Sequence, residues 1–223
     1  MNLLAITKAR AFAFLEIDEL NVGGKIRLAD CVPFIVGKYD FKVFPTKIED
    51  FDLLNKGVLF ESGRFGDLLI DTMKIYNRAI FIDTVSNTED SKNILQEMLE
   101  WGKQDLGLTY SPDKITRWGY VSDLVFSTDF PLLAAFSSPL EKLAHKTSAF
   151  TDRVFGGLPY QANSVSVGHD PAIRKSGIAS FTIQNRVDTR FGENRFFSEA
   201  PLPTDLHIQY LQEFEADVLE SKR

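Results

Sequence analysis

Ala179-Ser180-Phe181-Thr182-Ile183-Gln184-Asn185-Arg186-Val187-Asp188-Thr189-Arg190-Phe191 alternates along its whole length. Phe181, Ile183, Val187 and Phe191 share one parity, with Asn185 and Thr189 the polar residues among them. Ser180, Thr182, Gln184, Arg186, Asp188 and Arg190 share the other. Strand side chains point to opposite faces with period two. The run therefore predicts one long half-buried strand with an outward file of hydroxyl, amide, guanidinium and carboxylate groups, offered to a partner.

Working outward from this run, residues 164–169 and 177–190 read as two strands joined by the polar loop 170–176. Gly192-Glu193-Asn194 turns the chain into a short strand at 195–198. After Pro201 and Pro203, Thr204 caps a final helix with Asp205 at its positive end. Leu206, His207, Tyr210, Leu211, Phe214 and Val218 form its apolar stripe, and Asp205, Gln209, Gln212, Glu213 and Glu220 lie opposite. This is an amphipathic helix that packs on a sheet.

Residues 11–17, 25–36, 41–44, 58–61 and 79–83 read as strands separated by Gly23-Gly24, Gly37, Pro45 and Gly57. Pro33 assigns its run to an edge or a bulge. The period then changes to helical over 88–104, with Ser86 and Glu89 at capping-box spacing and Gly107 as the stop. A strand follows at 120–126 and a helix at 140–150. The pattern is α+β: a mostly antiparallel multi-stranded sheet carrying two or three helices, one of them the C-terminal amphipathic helix. It reads as a single domain over 1–223, with a weak sub-boundary near 148–161, where Gly156-Gly157 and Pro159 interrupt the chain.

At 223 residues, 44% hydrophobic and 25% charged, the composition is that of a globular protein with a substantial core. Phe supplies 19 aromatics against six Tyr and two Trp, which favours dry cores and interfaces. The net charge of −6 speaks against a dedicated nucleic-acid binder. The single cysteine, Cys31, excludes an internal disulfide and reads as a buried, inert thiol. Residues 1–20 lack the order of a secretory signal, and no window reaches the roughly 18 apolar residues of a membrane span. The expected location is cytoplasmic, away from the membrane.

Catalytic patterns are sparse. Gly24-Lys25 has neither the leading glycine nor the hydroxyl residue of a phosphate-binding loop. His145, His169 and His207 fall on three different elements. His207 sits on an apolar stripe and reads as a hydrogen-bonded core residue, whereas His169-Asp170 enters a loop. Glu61, Asp67, Asp71 and Asp83 flank strands. Convergence of Glu61, Asp71 and Asp83, with His169 or Lys74 near, is what Mg²⁺-dependent hydrolysis of a phosphoester would require, as in a nuclease.

Charge is segregated. Residues 172–198 carry five cations (Arg174, Lys175, Arg186, Arg190, Arg195) against two acids, and 204–221 carry five acids and no cation. Opposite-sign surfaces steer association. The sequence thus predicts a non-catalytic protein-interaction or assembly subunit without a cofactor. Its contact surfaces would be the 179–198 strand and hairpin, with Arg186, Arg190, Phe191, Arg195, Phe196 and Phe197, and the acidic C-terminal helix, meeting a protein partner or another copy. The rival readings are the Mg²⁺-dependent hydrolase and a nucleic-acid-contacting subunit that uses the basic hairpin.

Overall fold

The computed structural model describes residues 1–157, 159–170, 172–173 and 178–221. Among them, eight strands pair in the order β2-β3-β4-β1-β5-β8-β7-β6, an antiparallel sheet accompanied by five helices. The strands are β1 (Asn2–Phe14), β2 (Val58–Phe65), β3 (Leu68–Tyr76), β4 (Ala79–Thr84), β5 (Arg117–Ser127), β6 (Ser164–Val167), β7 (Phe181–Asn185) and β8 (Arg195–Ala200). The helices are α1 (Ile17–Leu20, a single turn), α2 (Leu28–Tyr39), α3 (Thr88–Asp105), α4 (Ser137–Phe155) and α5 (Thr204–Glu220). The α+β class and the C-terminal helix are as the sequence predicts.

The chain divides into two compact units. The first is Ile6–Ser122 with Pro201–Asp205; the second is Met1–Ala5, Asp123–Ala200 and Leu206–Arg223. The segment 148–161 lies inside the second unit.

In the first unit Ala9, Ala11 and Ala13 of β1 are fully buried and alternate with Arg10, Phe12 and Phe14. Ala11 and Ala13 stand opposite Ile82 and Ile80, and these stand opposite Met73 and Ile75 of β3. Small residues at the centre of the sheet let α2 and α3 approach closely. Their Val32, Ile35, Ile94, Leu95 and Leu99 complete the core over this face. Burying each such side chain contributes roughly 1.5–3 kcal/mol.

Helix α2 corrects the strand expected over 25–36. Cys31, Val32, Ile35 and Tyr39 are its buried residues, which is helical spacing. Pro33 sits exposed within it. The proline is a misleading sign, because it removes one donor while packing of the apolar face holds the helix. Asp40 closes α2 in a left-handed conformation at φ 51°, and Gly37 lies inside the helix. Residues 41–44 form only the isolated bridge Val43–Glu61. Strand β3 is additional to those expected. Helix α3 is capped by the Asn87 side chain, which accepts from the Glu89 N–H at 2.8 Å, rather than by Ser86.

The second unit holds β6, β7 and β8 with α4 and most of α5. The long strand expected over 179–191 is shorter: pairing in β7 ends at Asn185, with one further backbone bond from Arg186 N–H to the Arg195 carbonyl at 2.9 Å. Asp188 then turns left-handed at φ 62°, Thr189 donates to the Arg186 carbonyl, and Val187 is 73% exposed. A turn overrides the alternation there. Arg174 and Lys175 of the expected basic hairpin, with Pro171, Ser176 and Gly177, lie outside the described residues.

Helix α5 buries His207, Leu211 and Val218. His207 Nε2 lies 2.8 Å from Ser198 Oγ, and the ring meets Phe181 edge-on, so it is the hydrogen-bonded core histidine expected. No helix among the described residues is long and apolar enough to cross a membrane.

Candidate binding surfaces

The expected carboxylate site does not assemble. Glu61, Thr72, Asp83 and Arg10 stand directly opposite one another across β2, β3, β4 and β1. One strand therefore separates Glu61 from Asp83. Asp83 is occupied by a two-point ion pair, with Arg10 Nε and Nη2 each 2.5 Å from a carboxylate oxygen. Asp71, next to Thr72 on β3, is exposed and accepts from the Thr72 hydroxyl at 3.5 Å. Asp67 lies in the β2–β3 turn, and Lys74 shares the Thr72 face. His169 follows β6 in the second unit and is exposed. Among the described residues no group of three or more His, Cys, Asp and Glu side chains is placed to hold a metal ion.

The hairpin residues separate into three roles. Phe196 is 1% exposed and packs on Phe126 at 5.4 Å, which corrects its assignment as a contact residue: it belongs to the core. Phe191 lines a cavity of about 100 Å³ together with Pro131, Leu133, Asn185 and Phe196. Arg186, Arg190 and Arg195 are exposed, Arg195 lying 3.8 Å from Glu193, and Phe197 is half-buried.

A helical surface stands out in the second unit. On α4, Leu140, Leu143, Thr147 and Phe150 recur at i, i+3, i+7 and i+10, one helical stripe. Leu143 and Phe150 are 64% and 68% exposed. The opposite edge is anchored: Thr151 is buried, and Ser148 accepts the Tyr160 N–H at 2.7 Å. Exposed Lys142, Lys146 and Arg153 run along the outer edge of the stripe at i, i+4 and i+11. Outward on α5 of the same unit, Tyr210, Glu213, Asp217 and Glu220 recur at i, i+3, i+7 and i+10, one stripe with an aromatic ring and only acidic charges, while exposed Leu219 lies on the opposite flank.

In the first unit the sheet face opposite α2 and α3 is aromatic and cationic. Phe12 and Phe14 stack at 5.9 Å, Phe12 meets Phe81 at 5.5 Å, and Tyr76 stacks on Phe81 at 6.2 Å. The Arg10 guanidinium lies 4.0 Å over Phe81, Arg117 lies 4.1 Å over Phe14, and Lys74 reaches Tyr76 at 5.4 Å. Gly119 makes room for the two β1 rings: a Cβ there would lie 3.1 Å from Phe14. Phe12, Phe14 and Tyr76 are half-buried and Arg117 is exposed.

Neither surface is identified by sequence reasoning, although each leaves a signal. The Ala/Phe alternation of residues 9–14 places the large side chains on the parity of Arg10, the reverse of a simple core strand. The α4 stripe lies within an expected helix, but exposure depends on what packs against it, which spacing alone does not state.

A phenol and a thiol of the first unit show its interior polarity. Tyr39 donates to Glu97 at 2.6 Å, and Lys38 pairs with Glu97 at 2.7 Å. Burial, followed by the Glu97 hydrogen bond and negative charge, holds the Tyr39 hydroxyl protonated far above its ordinary range. Burial and then the Asp30 charge push the Cys31 thiol up, so it is a poor nucleophile. No protein-family model and no curated protein matches this chain.

Proposed function

We propose that the chain is a non-catalytic assembly subunit whose copies join head to tail, α4 of one copy seating on α5 of the next. The observation that carries this reading is the Leu143/Phe150 stripe of α4, exposed to solvent and bordered by three cations. Contiguous exposed apolar surface with a polar rim marks interaction sites. The charge of the rim supports a second copy as the occupant, because α5 offers Tyr210 on one helical stripe with Glu213, Asp217 and Glu220, with no cation between Thr204 and Ser221. Complementary potentials fix partner and register more than they add raw affinity.

This reading keeps the assembly role and the acidic helix expected from the sequence and moves the apolar partner surface from the hairpin to α4. A head-to-tail contact builds rings when its rotation closes and open filaments when it does not. Sedimentation velocity of the purified chain across a concentration series tests it. The wild type is expected to form species larger than a monomer, and Leu143→Asp with Phe150→Asp to collapse them while leaving the far-ultraviolet circular dichroism intact. A wild-type monomer at every concentration, or assemblies indifferent to both substitutions, would refute it.

A further inference from the structure

The geometry points to a second, separate activity: the aromatic face of the first unit binds single-stranded nucleic acid, its bases stacking on the plates formed by Phe12, Phe14 and the ring-seated guanidinium groups of Arg10 and Arg117. Bases need flat π surfaces and phosphates need cations, and proteins that hold single strands combine the two. This face supplies both in one layer. Its rings follow one another at 5.5–6.2 Å from Tyr76 through Phe81 and Phe12 to Phe14. The guanidinium of Arg10 lies over Phe81 with its plane held by Asp83, so it is presented as a fixed cationic plate rather than a mobile chain end. Arg117 on Phe14 repeats the arrangement at an exposed position.

Charge selects the ligand. Arg10, Lys74 and Arg117 share the face with Glu61 and Asp83, three cations to two acids in a chain whose overall charge is −6. Asp83 is already satisfied by Arg10. The uneven sharing of charge favours a polyanion, and the half-buried rings favour a planar one. A duplex hides its base faces within the stack and offers only the phosphates, so the strand must be single. The α4–α5 contact lies on other elements, so this inference stands or falls independently of self-assembly.

Fluorescence anisotropy with labelled oligonucleotides of about 16 nucleotides, the upper end of common single-strand site sizes, tests the inference. Matched DNA and RNA strands and the corresponding DNA duplex form the three arms. Binding of either single strand, tighter than of the duplex and weakening as salt rises, is expected; the stronger single-strand arm then identifies the sugar. Phe12→Ala is expected to weaken binding about 5- to 150-fold, the range for one lost stacking partner. Arg117→Glu and Lys74→Glu, at sites outside the core, are expected to weaken it and to flatten the salt dependence. No single-strand binding at low salt, duplex binding that equals it, or affinity unchanged in Arg117→Glu and Lys74→Glu would each overturn the proposal.

Discussion

Tyr39 and Cys31 make the first unit sensitive to alkali. Each holds its proton more tightly when folded than when exposed, so the native state binds more protons than the unfolded state as pH rises. Their contribution is complete below the ordinary values of 10.0 and 9.0 and is lost as pH climbs beyond them. Stability measured by urea unfolding is therefore expected to fall steeply above pH 10.0, and Tyr39→Phe is expected to remove the tyrosine's share of that fall. An unchanged alkaline slope in Tyr39→Phe would contradict the Tyr39–Glu97 assignment. Phe196 gives a second residue-level expectation. At 1% exposure against Phe126, Phe196→Ala is expected to cost about 3–5 kcal/mol of stability through the cavity it leaves. A surface contact residue would cost a few tenths, and guanidinium unfolding separates the two.

At the scale of the element, the N-termini of α3 and α5 are joined by a reciprocal pair. Thr88 N–H donates to Thr204 Oγ1 at 3.1 Å, and Thr204 N–H donates to Thr88 Oγ1 at 2.9 Å, with both residues buried. Either Thr→Val change keeps the volume and leaves one buried N–H unsatisfied, so each is expected to cost about 1–3 kcal/mol. The double variant is expected to cost less than the sum, which a thermal-unfolding cycle measures. Additive losses would mean the two hydroxyls act independently. These elements also show what spacing reveals. Residues 79–83, 88–104 and 120–126 are legible because apolar period and turn chemistry agree there. Residues 25–36 are not: Cys31, Val32, Ile35 and Tyr39 carry helical spacing, but Pro33 speaks for a strand edge, and only packing against the sheet decides between them. At 186–191 the alternation continues in the sequence while Asp188 turns the backbone, so local conformation defeats a pattern that burial does not enforce. The carboxylate site is illegible for a related reason. Strand positions fix which face Glu61 and Asp83 take, and the register that sets Asp83 beside Arg10 is a long-range property.

Across the whole molecule, exposed charge and apolar surface are unevenly distributed. Acids gather on α5, cations border the α4 stripe, and the aromatic face of the first unit carries its own positive excess within a net charge of −6. A contact of α4 with α5 makes a prediction that a contact of α4 with α4, or of α5 with α5, does not share. A copy disabled on α4 by Phe150→Asp retains a working α5. A copy disabled on α5 by Tyr210→Lys and Glu213→Lys retains a working α4. Each is expected to be monomeric alone, and an equal mixture is expected to form a one-to-one dimer by light scattering coupled to size exclusion. A mixture that remains monomeric, or a variant that assembles as well alone as the wild type, would contradict the account.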